Sequence, residues 1–239
     1  MDISVLSESL PEITLRPLKP EKTWRILDIG CGYGEVLLHL KAMKFQNLEG
    51  IDPYLKEEIS HSIGLKIRNI GLDELEGKWD LVMLHHSFEH LEDPENTLKH
   101  IFRLLADDGR CIIRTPNLSS HAWRKYCTSW VQIDAPRHIV IHSTKSMKML
   151  CEKTGFVLFE MIDDSDGFQF WGSEQYLKDI ALHEPGSYFT GRGNSIFSRE
   201  KLRRFQAEAE ELNHRREGDQ TVFYLKKQTM HGEHQQLEP

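Results

Sequence analysis

Three glycines and two acids are spaced so that they could hold one ligand. The stretch ILDIGCGYGEVL, residues 26–37, carries Asp28 out of an apolar run into Gly30, Cys31, Gly32 and Gly34. Glycines in such a turn adopt dihedrals closed to other residues and let a ligand approach without meeting a Cβ. A helix starting just after them leaves amide N–H groups unpaired, which suits an anionic group such as a carboxylate. Asp52 ends the next apolar run, where an acid accepts hydrogen bonds from both hydroxyls of a ribose. The loop reads GxGxG with an acid two residues ahead of the first glycine, not the GxGxxG of dinucleotide sites. A pyrophosphate gains nothing from a nearby carboxylate, whereas a cationic amino-acid end does. The pattern predicts a ribose-bearing ligand with a cationic end, and leaves a nicotinamide dinucleotide as the alternative.

A second group of residues could move protons. His85, His86, Glu89 and His90 directly follow a continuous apolar run. In open α/β sheets ligands sit at the C-terminal ends of strands, so this cluster belongs at the cleft. His86 to His90 also matches HxxEH, a zinc motif that needs both histidines on one face of a continuous helix. Here the stretch leaves a strand, and a helix begins only at Pro94, so no metal is expected. Glu89 and His90 keep two readings: ligand or acceptor binding, or hydrogen bonds that hold the loop against a neighbouring strand. Further on, Trp130, Asp134 and His138 lie in a segment with no regular period. A histidine with an ordinary pKa is available as a base at neutral pH. His142 reads as structural or solvated. Phe168, Phe170, Trp171 and Tyr176 either line a pocket or bury their segment against the sheet.

The elements that must position these residues alternate between short aliphatic runs and helical patterns, which predicts βαβ units and a largely parallel sheet. Strands are expected at 24–29, 48–51, 65–67, 80–84, 110–114, 156–162 and 221–225. Pro94 opens a helix whose apolar face is Leu98, Ile101, Leu104 and Leu105. Asp108-Gly109 reads as the turn into the fifth strand. Ser143 is a good N-cap for a helix through Lys153, and Gly155 a good stop. Residues 163–197 are too long for an ordinary connection and read as an insertion forming a lid or substrate wall. Leu202, Phe205, Ala209 and Leu212 make one core-facing stripe. The reading is one domain over 1–227, with a cofactor-binding half at about 22–117 and an acceptor side at about 118–227. Residues 228–239 read as a disordered tail.

The chain has 239 residues, a formal charge of −7, 39% hydrophobic and 28% charged residues, which suits a single soluble core. The negative balance argues against a large nucleic-acid surface. No apolar run approaches the roughly 18–20 residues that span a bilayer, and no secretory signal is visible, so a cytoplasmic protein is expected. Cys31, Cys111, Cys127 and Cys151 are scattered and predict neither disulfides nor a zinc site.

D-x-G-x-G-x-G, the acid after the second strand and WDLVMLHHSFEHLEDP together resemble the class I S-adenosylmethionine-dependent methyltransferases. The resemblance runs through LLADDGRCIIRTPN and Asp134-Ala135-Pro136-Arg137-His138, covering roughly residues 22–160. It is nearest to the small-molecule group of ubiquinone-biosynthesis and sugar or glycan enzymes. It implies a Rossmann-like α/β fold, a seven-stranded, mostly parallel sheet with helices on both faces. It implies that Asp28, Gly30, Cys31 and Gly32 contact the methionine part of S-adenosyl-L-methionine and that Asp52 holds the ribose. Asn69 and Ile70 resemble the adenine-flanking position, although the usual acid is missing there, and His85 falls near the sulfur. The acceptor is then a small molecule, by resemblance an oxygen one such as a sugar, glycan precursor or phenol. His138 is the expected base, His90 the second choice, with Asp134 or a backbone group orienting it. There is no N-P-P-Y, D-P-P-Y or Pro-Cys after the fourth strand, which disfavours adenine N6 and cytosine C5 chemistry. A cofactor-binding protein without turnover stays open as a different class.

Overall fold

Continuous aliphatic runs flanked by turn residues form buried strands when both sheet faces are covered; here all seven predicted runs form strands, though the 156–162 run is a largely half-exposed edge. The computed structural model describes residues 14–191 and 196–228. The segment preceding Thr14 and the predicted tail beyond Gln228 lie outside the described residues.

The strands are β1 (Arg25–Ile29), β2 (Asn47–Ile51), β3 (Ile59–Ser60), β4 (Lys66–Arg68), β5 (Trp79–His85), β6 (Leu105–Pro116), β7 (Phe156–Asp163) and β8 (Gln220–Lys227). They form one sheet in the order β3-β4-β2-β1-β5-β6-β8-β7. Pairs β1–β2, β1–β5, β2–β4 and β5–β6 are parallel, whereas β8 runs antiparallel between β6 and β7. Among the described residues the sheet therefore has eight strands rather than seven. The extra one, β3, is a two-residue antiparallel edge with no periodicity to betray it. β6 also starts five residues before its predicted first residue, because Asp108-Gly109 passes through a register shift instead of making a turn.

Alternate strand residues face opposite sides. Leu27, Val82, Leu84, Ile113 and Phe223 pack against α2 (Pro94–Leu104) and α4 (Thr144–Lys153). Ile26, Leu81, Met83, Ile112 and Tyr224 pack on the other side with Leu37 and Leu40 of α1 (Glu35–Ala42). The helix signals hold: Asp93 caps α2 by accepting from the Asn96 amide at 2.9 Å, and the Ser143 hydroxyl accepts from the Ser146 amide at 3.1 Å. Gly155 follows α4 at φ +81.

A third cluster lies off the sheet. α3 (His121–Tyr126), the turn at Val131, α5 (Phe168–Tyr176) and α6 (Arg199–His214) bury Tyr126, Trp130, Phe170, Phe205 and Leu212 together. The aromatics of the 163–197 segment pack against α6 and the 121–133 segment rather than against the sheet. Trp130 Nε1 donates to Asp219 at 2.9 Å, tying this cluster to the start of β8.

Candidate functional site

A tight turn at a parallel strand's C-terminal end needs left-handed backbone, and the loop after β1 supplies it at three glycines. Gly30, Gly32 and Gly34 have φ of +68, +54 and +81. Ile51, at the end of β2, accepts from the Gly30 and Cys31 amides at 2.8 and 3.3 Å, fixing the loop across the strand gap. Gly34 stands at the N-cap of α1 with no side chain to satisfy the first amides. A Cβ on Gly32 would meet nothing within 4 Å, so open space borders the backbone there. At Gly30 a Cβ would lie 2.5 Å from Ser87 Cβ. Gly30→Ala is therefore expected to lower stability by roughly 1–3 kcal/mol through clash and strained φ, read by chemical denaturation. An unchanged midpoint would mean that the Ser87 loop yields.

Asp28 and Asp52 flank this loop with different environments. Asp28 is 2% exposed, and its Oδ1 has no hydrogen-bond partner among the described residues. Burial, and then the charge of Asp52, push its carboxyl up to about 8. Asp52 is half-buried; one oxygen accepts from the Gly32 amide and the other from the Tyr54 amide, each at 2.9 Å. Cys31 keeps its thiol, pushed well up by burial and then by Asp28 and Asp52, with Sγ packed toward Gly50. Asn69 is exposed, and Ile70 packs partly against the core beyond β4.

The histidines after β5 divide into distinct roles. His85 is held neutral, down to about 3, by burial and then by Arg114 and His86; its Nε2 is buried without a partner among the described residues. His86, at φ +50, accepts from Arg114 through Nε2 and donates through Nδ1 to Glu89 at 3.2 Å. Both ring nitrogens are thus spent, and His86 does not join His90. Glu89 is fully buried, and its other oxygen accepts from Thr115 of β6 at 3.0 Å. Burial raises this carboxyl, but the His86 hydrogen bond and the charges of His86 and His138 outweigh it, leaving it below the usual range. Arg114 also donates to Asp164 at 2.6 Å. Ser87 donates to Ile29 carbonyl at 2.7 Å, binding the loop to β1.

The irregular segment brings His138 to this cluster. The Ile139 and Val140 amides donate to Glu89 carbonyl at 2.8 and 3.2 Å. His138 Nδ1 donates to Gln132 carbonyl at 2.7 Å, and Nε2 lies 3.9 Å from Glu89 and 3.8 Å from Asp134. His90 Nδ1 donates to Arg137 carbonyl at 2.8 Å, and its ring stands 4.9 Å from that of His138. Asp134 pairs with Arg137 at 2.5 Å, so the group orienting Nδ1 of His138 is a backbone carbonyl rather than this acid. His142 is buried beside Phe88, with burial lowering its pKa. Sequence reasoning missed Ser87, Arg114, Thr115 and Asp164. Each acts across strand ends distant in sequence, where no local pattern records the contact.

A glycine loop between β1 and α1, an acid after β2 and a sheet reversed at β8 define one class of protein. A model of the methyltransferase domain matches residues 5–161, and the chain belongs to this family, among the class I S-adenosylmethionine-dependent methyltransferases. Juvenile hormone acid O-methyltransferase of Bombyx mori is 27% identical over 179 residues, 59% of this chain and 63% of that protein. Ubiquinone biosynthesis O-methyltransferase of Psychrobacter arcticus is 30% identical over 106 residues, 39% of this chain and 41% of that protein. The chain thus spans less than two thirds of these relatives' length. A Thermotoga maritima structure, a SAM-dependent methyltransferase described as a possible histamine N-methyltransferase, shares the fold. Its TM-score is 0.57 at 19% identity, covering 92% of this chain and 87% of that one. Among the described residues no helix is long and apolar enough to cross a membrane.

Proposed function

We propose that this chain transfers a methyl group from S-adenosylmethionine to an oxygen of a small-molecule acceptor, of the sugar, glycan-precursor or phenol kind. The observation that carries the reading is the pair Asp28 and Asp52 around the glycine loop. An orphaned buried carboxyl fits an ammonium, and a half-buried carboxylate at a strand end fits two ribose hydroxyls. Gly30, Cys31 and Gly32 give the methionine part its close approach. Ile70 offers an apolar edge for the adenine with Asn69 beside it, and His85 stands neutral near the sulfur. The two O-methyltransferase relatives and the net charge of −7 favour an oxygen-bearing small molecule over nucleic acid.

When bound, the cofactor supplies a methyl group already activated by its sulfonium charge. The protein's task is then alignment, exclusion of water and removal of one proton. The acceptor-side half, 118–227, sets its aromatic cluster beyond the strand ends. His138 Nε2 takes the acceptor hydroxyl proton as the oxygen–methyl bond forms, with the Gln132 carbonyl fixing the ring. His90 stands next to it as a second basic nitrogen.

Calorimetry should show S-adenosylmethionine binding well above NAD; the reverse order sinks the proposal. Asp52→Ala should weaken that binding by roughly 1.5–3 kcal/mol, since charge-assisted hydrogen bonds to the ribose are lost. An unchanged dissociation constant would remove Asp52 from the site. Binding without turnover over a panel of hydroxyl acceptors would make the chain a cofactor-binding partner instead.

A further inference from the structure

We propose that Glu89, His90 and His138 form a site for a divalent transition-metal ion, which competes with the proton transfer assigned to His138. The second half of this inference rests on that assignment; the first does not. It takes the place of the metal-free reading of the sequence, which weighed His86 with His90 and left out His138.

One carboxylate oxygen and two imidazole nitrogens, one from each residue, all lie within 4.8 Å of one another. Both histidines spend Nδ1 on a backbone carbonyl, Arg137 at 2.8 Å and Gln132 at 2.7 Å. That fixes the tautomer, so each Nε2 carries a lone pair, the arrangement found where a second shell orients metal-binding imidazoles. Glu89 is likewise held from behind: His86 donates to one oxygen and Thr115 to the other. His138 Nε2 is 3.9 Å from Glu89 and 3.8 Å from Asp134, too far for a hydrogen bond to either. A carboxylate oxygen and the Nε2 lone pair of His138 therefore stand near each other without a hydrogen bond between them. Ligands at ~2.0–2.2 Å from an ion stand ~3.3–3.6 Å apart in a tetrahedron, so closure needs a contraction of about 1 Å. Two imidazoles and one carboxylate suit zinc, cobalt or nickel better than magnesium or calcium. Arg114 and Arg137 are neutralised nearby by Asp164 and Asp134, which limits their repulsion of a cation. An ion bound here takes the Nε2 lone pair of His138, leaving no base for the acceptor.

The test uses the tag-free full chain and cobalt(II) as an optical probe. Visible d–d bands should develop with about one equivalent, and disappear in His90→Ala and in His138→Asn. His100→Ala, on the outer side of α2, should keep them. Saturating cobalt(II) should lower turnover by about 10²-fold, reversed by a chelator. Absent bands, or bands that survive both cluster substitutions, overturn the site. Bands accompanied by unchanged or faster turnover overturn the competition. The assignment of His138 as base fails by a different reading, normal turnover of metal-free His138→Asn.

Discussion

Replacing His138 with alanine is expected to cut turnover by roughly 10²–10⁴-fold, the usual worth of a positioned base. Cofactor affinity should stay within about twofold, since the loop at Gly30 to Gly34 and Asp52 are built on other strands. The measurement is steady-state turnover beside calorimetric cofactor binding. His138 is nearly buried and donates to Gln132, so alanine also removes a hydrogen bond that anchors the 132–138 turn. His138→Asn separates the two effects, because its amide can still donate to that carbonyl while it cannot take a proton. Equal loss in both variants supports the base. Recovery of turnover in the asparagine variant would make His138 a positioning residue only, and normal turnover in both would remove it from the reaction. His90→Ala is expected to cost less, as its ring only stands beside that of His138.

Asp28 carries the other large effect, and it works in opposite directions on stability and binding. Its folded pKa, raised to about 8, lies above the ordinary carboxylate value near 4. Between those values the unfolded chain has released the proton while the folded chain keeps it. The unfolded state then binds fewer protons, so stability falls by about 1.4 kcal/mol per pH unit as pH rises through that window. Below it both states are protonated, and above it the full penalty persists. Asp28→Asn should remove the slope and leave the cofactor-free protein several kcal/mol more stable at pH 8. The same variant should bind S-adenosylmethionine at least about tenfold more weakly, having lost the negative partner of the ammonium. In the parent protein affinity should climb with pH up to about 8, with proton release visible as a buffer-dependent binding enthalpy. A variant no more stable than the parent would mean that the Asp28 carboxyl is not desolvated. Unaltered binding would move the ammonium elsewhere.

These two residues show what a single sequence reveals and what it hides. Asp28, the glycines and Asp52 are legible because a strand–turn–helix unit keeps them local, and the turn demands φ values that only glycine adopts readily. The seven strands are legible because each is a short apolar run between turn residues. β3 is not, since two residues at a sheet edge carry no period. Asp108-Gly109 misleads for a different reason: a turn signal is overridden by pairing with β5, where the chain absorbs the irregularity as a bulge. The acceptor side is harder still. His138 reaches Glu89 through backbone hydrogen bonds made by Ile139 and Val140, across nearly fifty residues of chain. Likewise the Arg114 relay to His86 exists only because β5 and β6 end side by side. For the aromatics of the insertion the sequence leaves a pocket lining and burial against the sheet both open, and their actual partner, α6, stays hidden, because a stripe of apolar residues does not say what faces it.

The reversed strand β8 has a consequence for how this protein is made. It is the last strand in the described chain, yet it sits inside the sheet, paired on both edges with β6 and β7. During synthesis, β1 to β6 can emerge and dock in order, but β6 keeps a bare apolar edge until residues 220–227 have left the ribosome. β7 has no partner in the sheet until then. Such an edge is a template for pairing with other chains. Closure also draws together positions more than a hundred residues apart, such as Asn117 and Thr221 at 2.9 Å, a slow kind of contact to find. The nascent chain therefore passes through a long interval in which its cofactor half is assembled and its sheet still open. A stop codon placed before Gln220 is expected to yield aggregate rather than a smaller folded protein.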